Sequence, residues 1–125
     1  MKKVINTKNA PAPIGPYSQS VLARNTLYVS GQIPLNPITG ELIISSIEAE
    51  TEMVMNNIQA ILTEASADFS HVVKCSIFVK NLGDFALINE TYGKYFPNNP
   101  PARETVEVSR LPKDVNVEIS CIAVL

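Results

Sequence analysis

The stretch Val115–Leu125 constrains this chain more than any other segment. It alternates side chains at every second residue, the period of a β-strand, and becomes apolar on both sides towards its end. Ile119, Cys121 and Ala123 face one way, and Ile122 and Val124 the other. A strand apolar on both faces belongs in a sheet that is covered on both faces. The remaining chain supplies little cover, because only two segments repeat apolar residues at helical spacing. The first starts at a capping Ser45 or Ser46 and runs to about Ala65, with Val54, Ile58, Ile61, Leu62 and Ala65 on one stripe. Glu48, Glu50 and Glu52 stand early in it, where the helix dipole favours negative charge. The second begins at Asp84 as cap, buries Phe85, Ile88, Tyr92, Tyr95 and Phe96, and is stopped by Pro97.

The other strands read as Val4–Asn6, Val21–Ala23 and Thr26–Ser30 around an Arg24-Asn25 turn, His71–Lys80, and Glu104–Val108. In His71–Lys80, the side chains of Val73, Cys75, Ile77 and Val79 should share a face. The Pro/Gly-rich segment Asn9–Pro16 fits neither a helix nor a central strand. The order is therefore βββαβαββ. The expected architecture is α+β: one domain over residues 1–125, a six-stranded sheet with two helices on one face. The second face has no chain left to cover it, so the pattern predicts self-association.

Composition excludes several functions. Ten basic and twelve acidic residues leave a net charge of −2, with no basic run beyond Lys2-Lys3. No nucleic-acid footprint results. No apolar stretch has the length of a signal-peptide core or a membrane span, so the expected location is the cytoplasm. Cys75 and Cys121 are far apart, lack a CxxC pattern and sit at alternating apolar positions, which reads as reduced core cysteines. One histidine, His71, and two distant cysteines make a zinc cluster unsupported, and no phosphate-binding glycine motif is present. The expectation is no metal and no cofactor.

Two polar residues occupy unusual places. Arg103 opens a strand immediately after Pro100-Pro101-Ala102, so its guanidinium fork is presented on constrained backbone and suits a carboxylate. It reads equally well as a surface arginine at a strand start. Glu118 lies deep inside the last strand, where burial could raise its pKa into the range of a general acid or base, or where it could simply face solvent.

Four segments carry a resemblance. They are Ala12–Gln19 around Tyr17, Val29–Pro34 around Ser30 and Gly31, Val79–Lys80 with Asp84-Phe85 and Asn89, and above all Pro101-Ala102-Arg103 through Val106–Glu118. Over essentially its whole length the chain resembles the RidA/YjgF family of enamine/imine deaminases. The resemblance implies a fold like the AroH-type chorismate mutase and a homotrimer with clefts between subunits. It also implies cofactor-free hydrolysis of 2-iminobutanoate and 2-iminopropanoate to 2-oxo acids and ammonia. By position, Arg103 would bind the substrate carboxylate, Glu118 would handle water, and Tyr17, Ser30, Gly31 and Asn89 would line the pocket.

The chain departs from the family pattern at Glu104, where a small residue is usual, and at Thr105, where cysteine is frequent. Glu104 should point away from the face of Arg103, whereas Thr105 shares that face and keeps a small polar group there. A non-catalytic trimer that binds small carboxylates, as a regulator or holdase-type partner, is the competing reading. It would need Arg103 but not Glu118. A chorismate mutase would want several cationic contacts, and the chain has three arginines, Arg24, Arg103 and Arg110.

Overall fold

The alternating stretches form six strands and the two apolar stripes form two α-helices in a computed structural model that describes residues 1–125. In chain order these are β1 (Lys2–Ile5), β2 (Ser20–Ala23), β3 (Thr26–Gln32), α1 (Ile47–Glu64), β4 (Val72–Val79), α2 (Phe85–Gly93), β5 (Ala102–Glu107) and β6 (Val117–Val124). The sheet order is β1-β2-β3-β6-β4-β5. Every neighbouring pair is antiparallel except β4 and β5, which are parallel because α2 crosses between them. The C-terminal strand thus sits in the middle of a mixed sheet, as its apolar composition demands, and both helices pack on one face.

The core lies between that face and α1. Leu27, Val29, Ile77, Val79, Val117 and Ile119 from the sheet meet Val54, Met55, Ile58, Ile61 and Leu62 from the helix, all of them buried. Each such side chain contributes about 1.5–3 kcal/mol through burial. Ser46 caps α1, its Oγ accepting the Ala49 N–H at 3.0 Å. Cys75 and Cys121 are unbonded, buried and directly opposite one another on β4 and β6, as core cysteines should be.

Three local expectations are corrected. Val73 does not share the face of Cys75, Ile77 and Val79. A bulge places Val72 opposite Ala123 and Lys74 opposite Ile122, so the extra residue buries Val72 and leaves Val73 47% exposed. Asp84 precedes α2 but makes no side-chain cap. Asn81 takes that role one turn earlier, its Oδ1 accepting the Gly83 N–H at 2.7 Å in a 3₁₀ turn that leads into the helix. Phe85 is not on the buried stripe of α2, although Ile88 and Tyr92 are; the helix ends at Gly93, short of Pro97, and Phe96 is buried beyond it. Phe85 is 39% exposed and turns towards Arg103.

On the sheet face opposite the helices, Val4, Val21, Tyr28 and Ile122 lie side by side across four strands. No element of the chain covers this row, and Val4 and Tyr28 are both exposed.

Candidate active site

Arg103 projects from β5, an edge strand, at the level of buried Cys75 and therefore on the helix side of the sheet. Three residues of α2 hold it. Asn89 Oδ1 accepts from Arg103 Nη1 at 2.6 Å. The guanidinium carbon lies over the rings of Phe85, at 5.6 Å from the centroid, and Tyr92, at 5.2 Å. Phe85, Asn89 and Tyr92 stand four and three residues apart, so one helix face presents all three. The rings fix the plane of the guanidinium and Asn89 takes one of its edges, which leaves the remaining N–H groups for an incoming anion. Thr105, two residues further along, shares this face. Its hydroxyl is buried and has no hydrogen-bond partner, and the same is true of the Tyr92 hydroxyl, whose pKa burial pushes up.

Glu104 points to the other face, as alternation requires. It pairs with Lys74 at 3.0 Å and accepts a hydrogen bond from Ser76 Oγ. The Ser76 bond, then Lys74, hold its carboxyl below the usual range. This departure from the family pattern therefore belongs to a surface network on β4 and β5, not to the pocket of Arg103.

Glu118 lies on that second face, in β6 beside Phe78 of β4. With Ile14, Tyr17, Ser30, Gly31, Ile33 and Pro112 it lines a cleft of about 390 Å³. Gly31 leaves space that the Glu118 side chain occupies: a Cβ there would stand 2.6 Å from the Glu118 Oε2 and 2.8 Å from its Cδ, so a larger residue would push the carboxylate aside. The carboxylate thus rests on the backbone of β3, where a register shift between Val29 and Gln32 breaks the ladder to β6. Ser30 Oγ donates to the Ser18 carbonyl at 2.6 Å, so towards the cleft it acts as an acceptor.

Gln19, almost wholly buried, anchors the Pro-rich loop that carries Ile14 and Tyr17. Its Oε1 accepts the Thr7 N–H at 2.7 Å, and its Nε2 donates to the carbonyls of Thr7, Ala10 and Pro11. Burial raises the Glu118 pKa, and no arginine of the chain opposes that shift.

The expected site residues therefore form two groups. Tyr17, Ser30, Gly31 and Glu118 come together, as do Asn89, Arg103 and Thr105. The groups do not meet. β5 and β6 flank β4 on opposite sides, which separates the two backbones by about 10 Å sideways and about 10 Å along the strands, and their side chains project from opposite faces. Sequence reading missed Phe85, Tyr92, Ile14, Ile33 and Pro112 as neighbours of these groups. The helical spacing of Phe85, Asn89 and Tyr92 was the available signal for the first two.

The sequence profile described as Endoribonuclease L-PSP matches residues 7–125. The chain belongs to the RidA/YjgF/L-PSP family. Among its relatives, Reactive Intermediate Deaminase A, chloroplastic, of Arabidopsis thaliana is 46% identical over 124 residues, spanning 99% of this chain and 66% of that protein. The crystal structure of the YjgF gene product from E. coli has a TM-score of 0.93 at 47% identity and covers 98% of each chain. E. coli TdcF, solved with bound serine, has a TM-score of 0.94 at 40% identity, again over 98% of each chain. The six-stranded mixed sheet with two helices is the chorismate-mutase-like fold of the YjgF structures. No helix is long and apolar enough to cross a membrane.

Proposed function

We propose that this RidA-family protein hydrolyses 2-imino acids such as 2-iminobutanoate and 2-iminopropanoate, in clefts built from two copies of the chain. The separation of Arg103 from Glu118 carries this reading. A carboxylate clamp at a sheet edge on one face and a desolvated carboxylate on the other each lack what the other supplies. A neighbouring copy that covers the Val4, Val21, Tyr28 and Ile122 row can bring its edge-strand Arg103 to this copy's Glu118. A homotrimer, which closes this contact three times, is the assembly proposed. The family's named deaminase and the serine-bound relative support a small amino-acid-like ligand.

In the proposed reaction, the free edge of Arg103 takes the substrate carboxylate bidentately and orients the iminium carbon. Glu118, ionised, removes a proton from water as the oxygen bonds to that carbon, which gives a carbinolamine. Protonated Glu118 returns the proton to the amino nitrogen. The C–N bond breaks, the hydroxyl proton leaves with the nitrogen, and the products are a 2-oxo acid and ammonium. A pKa raised by burial suits this exchange in both directions. Thr105 offers no thiol, and none is needed. These residues carry the steps without a cofactor.

A coupled assay tests the reading. Threonine dehydratase generates the imine from threonine, and semicarbazide competes for it. Added protein should suppress semicarbazone formation in proportion to its concentration; unchanged formation would overturn the proposal. The serine-bound relative also favours a second reading, a carboxylate-binding regulator without chemistry. That reading requires 2-oxobutanoate to bind while imine loss stays at the background rate. RNA should remain intact under the same conditions. The single histidine, His71, is engaged in a capping box with Asp68 and sits seven residues of β4, about 20 Å, from the position opposite Glu118.

A further inference from the structure

Glu50 is unusual among the charged residues: it is 0% exposed, and none of the salt bridges involves it. It stands in the first turn of α1, where the helix dipole favours its charge. Its carboxylate reaches across to the start of β6. There Oε1 accepts the Asn116 backbone N–H at 2.6 Å and Oε2 accepts from Asn116 Nδ2 at 2.9 Å. Asn116 is two residues before Glu118, and its carbonyl accepts the Lys80 N–H at 2.9 Å, which ties the same residue to the end of β4.

Two turns further along α1, wholly buried Asn57 donates to the carbonyls of Ile33 and Leu35, at 3.2 and 2.9 Å. Those carbonyls follow Gly31 at the end of β3. One helix therefore holds, with buried polar side chains, both the residue that leads into β6 ahead of Glu118 and the backbone of Ile33, which lines the Glu118 cleft. The Glu118 carboxylate lies against Gly31, where a Cβ would stand 2.6 Å from its Oε2 and displace it. A displacement of about 1 Å is costly at a reacting centre.

We propose that Glu50, paired with Asn116, is a positioning residue that sets where the Glu118 carboxylate stands in its cleft. The inference rests on the role assigned above to Glu118. The pairing suits a carboxylate at position 50. Both Asn116 groups that face it are donors, so both atoms facing them must accept. In Glu50→Gln the charge is lost and the new amide NH₂ meets Asn116 Nδ2, so the Asn116 amide must turn over to regain its bond. In Asn116→Asp two carboxylates face each other, the one on Glu50 wholly buried. The double variant Glu50→Gln/Asn116→Asp restores complementarity with the donor and acceptor exchanged.

The experiment measures imine hydrolysis and melting temperature for the wild type, both single variants, the double variant and Asn116→Ala. Asn116→Ala keeps the backbone bond and so tests the pair should Glu50→Gln fail to fold. Each single variant should lower kcat by roughly tenfold or more with KM within about twofold, and the double variant should recover most of kcat. In a Glu118→Gln background, Glu50→Gln should have no further effect on the residual rate. A second readout needs no turnover. The ¹³C carboxyl resonance of Glu118, assigned by its absence in Glu118→Gln, should shift in Glu50→Gln and return in the double variant; Tyr17 is the only other titratable residue lining the cleft.

An unshifted resonance in folded Glu50→Gln, or in folded Asn116→Ala if Glu50→Gln does not fold, would overturn the inference, as would a shift that the double variant does not reverse. If the wild type does not hydrolyse imines but the resonance behaves as expected, the functional reading fails and the positioning role stands. If hydrolysis depends on Glu118 yet Glu50→Gln, or the folded Asn116→Ala in its place, keeps the wild-type kcat, the positioning role alone fails.

Discussion

The Arg103 group and the Glu118 cleft solve opposite problems with opposite means. Arg103 is on an edge strand, partly open, and is made rigid by two aromatic rings and one amide from a single helix. Glu118 is in a central strand, rests on a glycine, and is made unusual by the loss of water around it. The first arrangement stores orientation and the second stores reactivity. A strand neighbourhood cannot readily supply both, because alternate residues leave by opposite faces. In the proposed assembly, splitting them between copies lets each be built where its own physics is favourable.

Removing the reactive half should have the largest effect. Glu118→Gln keeps size and much of the hydrogen bonding but accepts no proton, and kcat for 2-iminobutanoate should fall by about 10²–10⁴-fold. Titration with 2-oxobutanoate should still show binding. A wild-type rate in this variant would return Glu118 to a structural role.

Loss of the orienting half should be smaller and of another kind. Arg103→Lys keeps the charge but loses the planar fork and its stacking. At about 1.5–3 kcal/mol for bonds to a charged partner, kcat/KM should fall on the order of 10–150-fold, with weaker 2-oxobutanoate binding.

The comparison itself can be broken by mixing. Arg103→Lys and Glu118→Gln, each impaired alone, should complement when their subunits are exchanged and should recover about one quarter of the wild-type rate, since one cleft in four then receives both intact residues. No gain over the average of the parents, with exchange verified by mass, would place the two residues in separate sites.

Two finer tests sharpen it. Phe85→Leu removes one ring from the clamp and should raise KM by about 2–5-fold, in line with a partly exposed cation–π contact, while leaving kcat nearly intact. Burial raises the Glu118 pKa, and the base works deprotonated, so the acid limb of kcat/KM should lie above the ordinary glutamate value of 4.5. Activity should be lost as pH falls through that limb, and the residual rate of Glu118→Gln should lack it.

Much of the fold was legible in the sequence because its signals are local. Period-two alternation located the strands within a few residues, the apolar stripe from Val54 to Ala65 located α1, and Ser46 marked its start. The apolar character of β6 on both sides pointed to a sheet that needs cover on both faces, while its place between β3 and β4 came from the sheet order. Where a single inserted residue or a helix rotation decides the outcome, that legibility ended. The bulge at Val72-Val73 reverses one side chain, which periodicity does not encode, and Phe85 leaves the buried stripe for Arg103, a partner that helical spacing alone does not name.

The sequence by itself determined the order of elements and the family, and it singled out Arg103 and Glu118 as candidates, since motifs and spacing are properties of the chain. Only the tertiary structure decided which of those residues meet. Strand order and side-chain parity put Arg103 and Glu118 on opposite faces with β4 between them, and they placed Glu50, sixty-six positions away in the chain, against Asn116. Such distances depend on non-local pairing: register and sheet order arise from the packing of the whole core, and no local pattern specifies them.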